Sequence, residues 1–312
     1  MNRLLVLGCG VSASAIAVYA GIAIYGAHKV TRRRHLLPEI TPDTISPIWE
    51  EVRFLSRGDR VRLYGWWFPA KDAHRALVLV HGHGQNRLDK NWRSDAIARA
   101  FLARGYSVLM FDLRGHGESA RSRQSYGVRE KNDVLGAFDY VRGRGFRPGA
   151  IAMIGVSFGA GTLLMAASEL QDAGAIVADS GYAQAWPVIA AEIPRYSPFL
   201  ASVRPGPGIR LASRLVYGID LRAARPENAV GLIPERPVLF IHGAIDAYIP
   251  PSHSERLRTA SSHPASELWL VPDAGHAQTY AMAPDEYIKR VAAFFDAQMG
   301  GPIGQEPADS RS

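Results

Sequence analysis

Short apolar runs alternate with segments of helical period along most of this chain. Glu51–Leu55 and Val61–Phe68 carry β-branched and aromatic residues, and Ser56-Arg57-Gly58-Asp59 separates them, so they predict a hairpin. Ala76–His81 is continuously apolar and predicts a buried strand. Asn91–Arg104 then lines up Ala96, Ile97, Ala100 and Phe101 on one helical face. The pattern repeats with a strand at Tyr106–Asp112 and a helix at Val128–Arg142 that turns Val134, Phe138 and Val141 inward. A strand at Ile151–Ile154, a helix at Phe158–Leu170 and a strand at Ala175–Ala178 follow. Strands at Pro237–Ile241 and Glu267–Val271 and a closing helix at Glu286–Met299 complete the series. Alternation at this spacing implies an α/β fold, a mostly parallel, doubly wound sheet with helices on both faces.

Two stretches break the rhythm. Residues 182–234 are rich in Pro and Arg, with Trp186, Ile189, Phe199, Leu200, Leu215 and Tyr217 between them. An insertion of this size after the carboxyl end of a strand is expected to sit above a site as a lid. At the other end, Leu4–Ala27 contains no charge. At 1.5 Å per residue it spans about 36 Å, enough to cross a bilayer core of about 30 Å. The run is longer than the usual apolar region of a cleaved signal, so residues 1–35 are expected to form a single-pass membrane anchor with a basic flank, with Cys9 buried inertly in it; a signal peptide cleaved near Ala13-Ser14-Ala15 is the alternative. His35–Pro47, stiffened by Pro38, Pro42 and Pro47, reads as a linker (36–49) to a body over 50–299, and 300–312 as a disordered tail.

Charge sharpens this picture. The formal net charge of +7 would suit a nucleic-acid binder, but residues 1–35 hold Arg3, Lys29, Arg32, Arg33 and Arg34 and no acid. Five of the seven excess charges therefore flank the apolar run, and nucleic acid is not an expected partner. Four cations after the run and one before it put the body on the cytoplasmic side by the positive-inside rule, although Arg3 and a free amine can support the opposite insertion. A lone cysteine excludes an internal disulfide framework and a cysteine-based zinc site.

The chemistry centres on Gly155-Val156-Ser157-Phe158-Gly159, a G-x-S-x-G between a strand and a helix. A serine on so sharp a turn needs neighbours without side chains, and its hydroxyl needs a base oriented by an acid. Asp246 follows the strand Pro237–Ile241 and His276 follows Glu267–Val271, which gives the order Ser, Asp, His expected of a nucleophile elbow. The expected oxyanion donors are the backbone N–H groups of Phe158 and of His83, in His81-Gly82-His83-Gly84. His81-x-His83 lacks the continuation of a metallohydrolase motif, and no metal or cofactor is expected. Asp112–Ser119 reads as a turn network under the site, Asp133 and Asp139 as solvated helix residues, Asp273 as a turn former and His242 as a strand-end packing residue.

These segments, together with Ser125-Tyr126-Gly127, resemble the α/β-hydrolase superfamily over roughly Glu50–Met299, most nearly its Bem46-like and serine-aminopeptidase-like branch of membrane-anchored bacterial hydrolases. The resemblance implies the α/β-hydrolase fold, with the lid and the N-terminal transmembrane helix added to it. It implies Ser157, Asp246 and His276 as a catalytic triad and His83 and Phe158 as oxyanion donors. Ile245 ahead of the acid departs from the family pattern and is expected to dry the acid's surroundings; the imidazole of His83 is a candidate substrate contact. The expected activity is hydrolysis of a small-molecule carboxylic ester through an acyl-enzyme. Thioesterase and acyltransferase chemistry share that intermediate, and an aminopeptidase-like activity is the alternative.

Overall fold

The computed structural model describes residues 2–32, 35–196, 205–233 and 235–300, with the backbone alone for 2–13, 195 and 196. The strands are β1 (Glu50–Leu55), β2 (Arg62–Phe68), β3 (Arg75–Val80), β4 (Tyr106–Phe111), β5 (Ile151–Val156), β6 (Ala173–Asp179), β7 (Val238–Gly243) and β8 (Glu267–Val271). They form one sheet in the order β1-β2-β4-β3-β5-β6-β7-β8. The predicted hairpin makes its antiparallel edge, where β2 pairs with both β1 and β4. All other pairs are parallel.

The helices are α1 (Asn2–Thr31), α2 (Ser94–Leu102), α3 (Lys131–Gly143), α4 (Phe158–Ala166), α5 (Ala185–Tyr196), α6 (Gly206–Tyr217), α7 (Pro226–Val230), α8 (Ser252–Ala260), α9 (Thr279–Met282) and α10 (Pro284–Met299). Residues of β3 and β5 alternate between two cores. Val78, Val80 and Met153 meet Val134 and Phe138 of α3, Leu163 of α4 and Leu257 of α8. Leu77, Leu79, Ala152 and Ile154 meet Ile97 and Phe101 of α2 and Val291 and Phe295 of α10. Burial on both faces is why the central strands read as unbroken apolar runs.

Helix starts depart from the periodicity for local reasons. Arg93 adopts φ 60°, and the Ser94 hydroxyl accepts from Asp89 N–H and donates to the Arg87 carbonyl, so α2 begins after this turn rather than at Asn91. Likewise α3 begins at Lys131, because the Glu130 carboxylate turns back to the N–H groups of Ser125 and Gly127. Asp133 is not solvated. It is fully buried and accepts several hydrogen bonds from Arg114, whose guanidinium it shares with Asp59. Asp139 pairs with Arg57 at the surface.

The insertion builds α5, α6 and α7 around Tyr182, Ile189, Ile219 and Leu221, packed on Ile249. Phe199, Leu200 and Arg204 lie outside the described residues, as do Arg33, Arg34 and the expected tail after Gly300. The last turns of α1 pack on α6, with Ala23 and Ala27 buried against Ile209 and Ala212. The end of the expected membrane span therefore meets protein, while residues 14–20 are exposed. Among the described residues no helix is long and apolar enough to cross a membrane. The expected linker lies on the body: His35 Nδ1 bonds the Gly117 carbonyl, Asn86 donates to Leu36 O, and Pro42 and Ile45 are buried.

A side chain at Gly136 of α3 would run into the Leu55 carbonyl and Ser56 backbone at the end of β1. Gly136→Ala is expected to destabilise the fold by about 1–3 kcal/mol, since backbone rather than a flexible side chain must yield. Urea denaturation monitored by circular dichroism measures it.

Candidate active site

β5 ends at Val156, and α4 opens at Phe158 with Ser157 between them at φ 54° and ψ −115°. Such a conformation is costly for a residue with a Cβ and persists only where its surroundings fix it. They do so from two sides. Ser157 N–H donates to the Asp179 carbonyl of β6 at 2.7 Å, and the Ser157 carbonyl accepts from Gly161 N–H. The flanking glycines are sterically required: a Cβ on Gly155 would strike the Gly159 carbonyl, and one on Gly159 would strike the carbonyls of Val80 and His81.

The structure brings Ser157, His276 and Asp246 into one hydrogen-bonded chain. Ser157 Oγ is 2.8 Å from His276 Nε2, and His276 Nδ1 is 2.7 Å from Asp246 Oδ2. A carboxylate accepts only, so Nδ1 carries the proton and Nε2 is left to accept from the serine. Asp246 Oδ1 takes the N–H groups of Tyr248 and Ile249, each at 2.9 Å. Burial alone would raise the Asp246 pKa; hydrogen bonds from His242 and His276, with the Ile249 N–H, outweigh it and hold the carboxyl well below the usual carboxylate range.

His242 is more than the strand-end packing residue its sequence context suggests. Fully buried, it places Nε2 2.8 Å from the Ile249 carbonyl and 3.3 Å from Asp246 Oδ2, and Nδ1 2.6 Å from Ser254 Oγ. Ile245 is 64% exposed, so it points into solvent and does not dry the acid. Asp273 sits at φ 57°, as a turn former can. Asp179 was not singled out by any motif. Burial pushes its carboxyl pKa up, against hydrogen bonds from Thr279 and Ser180, and the Thr279 bond ties the loop after His276 to the sheet.

The network expected beneath the site is present: Asp112 accepts from the N–H groups of Arg87 and Glu118 and pairs with the buried Arg87 guanidinium. Both ring nitrogens of His81 are engaged, Nδ1 with the Gly82 carbonyl and Nε2 with Leu113 N–H. Burial lowers its pKa, with Asp112 opposing. Among the described residues no cluster of three or more His, Cys, Asp or Glu could hold a metal ion.

His83 and Phe158, the expected oxyanion donors, border the same cavity as Ser157, with Tyr126, Tyr182, Ala185, Val188, Tyr248 and Ile249. Its volume is about 30 Å³. A larger cavity of about 340 Å³ lies at the amino ends of β3 and β4, by Arg75 and Tyr106, away from the serine. We assign the chemistry to the small one, because open strand-end clefts in such sheets carry ligands at their carboxyl edge.

The model of the alpha/beta hydrolase family matches residues 77–293. The uncharacterized protein YqkD of Bacillus subtilis is 31% identical over 234 residues, covering 74% of this chain and 74% of its own length. The uncharacterized protein YfhR of Escherichia coli O157:H7 is 28% identical, covering 74% and 75%. Among solved structures, the Pyrococcus furiosus esterase Pf2001 superposes with a TM-score of 0.71 at 24% identity, over 87% of this chain and 99% of that one. Est1E of Butyrivibrio proteoclasticus, solved with ferulic acid bound, superposes with a TM-score of 0.57 at 19% identity, over 79% and 98%.

Because Asp246 has a depressed pKa in the folded chain, its contribution to stability is complete above the unfolded carboxyl value of about 3.9 and disappears as pH falls through the lower folded value. Urea denaturation of the native chain and of Asp246→Asn should therefore differ at about pH 4 by at least as much as at neutral pH, and converge only below it. Convergence between pH 5 and 7 would mean the carboxyl is not depressed.

Proposed function

The chain belongs to the alpha/beta hydrolase family, and from that premise we propose that it is a serine hydrolase of carboxylic esters, in the Bem46-like branch. The observation that carries this reading is the unbroken hydrogen-bond chain from Ser157 through His276 to Asp246. In the first step His276 Nε2 takes the hydroxyl proton as Ser157 Oγ attacks the ester carbonyl carbon. The oxyanion forms beside the N–H groups of Phe158 and His83, each such donor contributing about 3–4 kcal/mol. Collapse breaks the bond to the alcohol oxygen, which leaves with the proton from His276, and the acyl group stays on Ser157. Water then repeats the sequence, giving its proton to His276 and releasing the carboxylic acid. Asp246 fixes the tautomer and faces the imidazolium at each stage.

Three features support the finer parts of the reading. The superposed Pyrococcus furiosus esterase shares the fold, which is the weakest of these supports, since one fold hosts many activities. The described insertion carries Arg210, Arg214, Arg222 and Arg225 against Glu192, Asp220 and Glu227, and Glu227 is occupied by Arg225, Arg256 and Gln184. That balance suits acyl substrates with neutral or anionic heads and offers no acidic cluster for a peptide amine, so the insertion acts as a lid selecting against the aminopeptidase alternative. Ile16, Val18, Ile24 and Tyr25 of α1 are exposed apolar side chains with no acid on that helix. They support membrane attachment through the exposed face of α1, and the four cations after the apolar run against one before it favour the cytoplasmic side for the body.

Ser157→Ala is expected to lower kcat for p-nitrophenyl acetate by about 10³-fold or more, with the fold retained, and esterase assays with circular dichroism test it. Arg214→Ala with Arg222→Ala should reduce the ratio of turnover on anionic to neutral esters. An unchanged ratio would remove the head-group role of the insertion.

A further inference from the structure

The cavity beside Ser157 is bounded chiefly by aromatic and aliphatic side chains and has room for one or two water molecules. Tyr126 lines it among the residues the proposed reaction does not use. The Tyr126 ring lies nearly parallel to the His83 imidazole, at 6.1 Å and 21°, and edge-on to Phe158 at 6.4 Å. It therefore spans the two residues whose N–H groups would hold the oxyanion.

Tyr126 is held there against a backbone preference. Its φ is 56°, and Gly127 follows at 94°, so the turn sits in a region that costs a side-chain-bearing residue of order 1–3 kcal/mol. Glu130 clamps the turn from below through Ser125 and Gly127. Tyr182 donates to the Tyr126 carbonyl at 2.9 Å. From above, the Tyr126 hydroxyl donates to the Val30 carbonyl at 3.2 Å. Val30 is in the last turn of α1, where carbonyls have no partner within the helix. Two further bonds seat that turn: Gln124 N–H donates to Thr31 O at 2.8 Å, and Arg123 donates to Thr31 Oγ1 at 3.0 Å. The N-terminal helix thus touches the wall of the site at Tyr126, and Val30 also packs against the cluster of Tyr182, Ala185 and Ile249.

We propose that Tyr126 limits the acyl group to short chains and that the end of α1 holds it in that position. This rests on the ester-hydrolase reading above and names the substrate class that reading leaves open: esters of short, uncharged acyl groups. The helix that leads toward the membrane then also sets the depth of the acyl pocket, and a displacement of α1 from α6 would deepen it.

The test uses the full chain in detergent with p-nitrophenyl acetate, butyrate and octanoate, comparing native protein, Tyr126→Phe and Tyr126→Ala. Labelling by a small fluorophosphonate measures whether each variant retains a folded, reactive serine. The native chain should prefer acetate and butyrate. Tyr126→Ala should raise the octanoate-to-acetate ratio of kcat/KM by about tenfold or more, mainly through a lower KM for octanoate, since each accommodated methylene is worth about a factor of ten or more. Tyr126→Phe keeps the ring but releases it from Val30, and should raise the ratio by a smaller factor. An unchanged ratio in Tyr126→Ala with labelling retained would overturn the proposal. Were Tyr126→Ala to lose labelling through misfolding, Tyr126→Phe decides alone: a native ratio there overturns the role of α1. Absence of both turnover and labelling in the native chain would instead sink the hydrolase reading beneath it.

Discussion

The close approach of backbone to backbone around Ser157 is the constraint on which the site depends. Gly155 and Gly159 leave no room for a side chain against the carbonyls of Gly159, Val80 and His81. Only under that pressure does α4 begin immediately after β5 and force the serine to φ 54°. The same contact aligns the ends of β3 and β5, so the His81–Gly84 turn and the first turn of α4 border a common space. The strain is affordable because β5 is central, paired on both sides and buried throughout.

The second requirement is an acid kept ionised under cover. Asp246 has no exposed side-chain surface, a setting that ordinarily neutralises a carboxyl. Two backbone N–H groups and two histidines reverse the outcome. His242 contributes doubly, since its bond to the Ile249 carbonyl also shapes the turn whose N–H groups reach Asp246. Charge, turn geometry and imidazole orientation are thus one network, and loss of any member would loosen the others.

Much of this was legible in the sequence, for physical reasons that also mark its limits. Parallel strands buried on two faces leave unbroken apolar runs, so β3 to β7 stood out, and the order of Ser157, Asp246 and His276 at strand ends followed from them. Partnerships across the fold did not stand out. Asp133 occupies a position with helical period and a charged neighbourhood, yet Arg114 draws it into the core. Ile245 is apolar but lies on a turn that faces solvent. Ala23, Gly26 and Ala27 are small enough to sit in lipid or to let two helices approach closely, so composition could not say that α1 docks on α6. Nor did Tyr126 show its place, because its ring meets His83 and Phe158 only through a left-handed turn.

The central claim is that His276, oriented by Asp246, makes Ser157 a nucleophile. The most direct measurement is the rate at which a small fluorophosphonate labels the full chain, with the modified residue located by peptide mass spectrometry. A single adduct on Ser157 is expected, formed at least about 10²-fold more slowly in His276→Gln because a general base has been removed. An adduct on another residue, or an equal rate in His276→Gln, would contradict it.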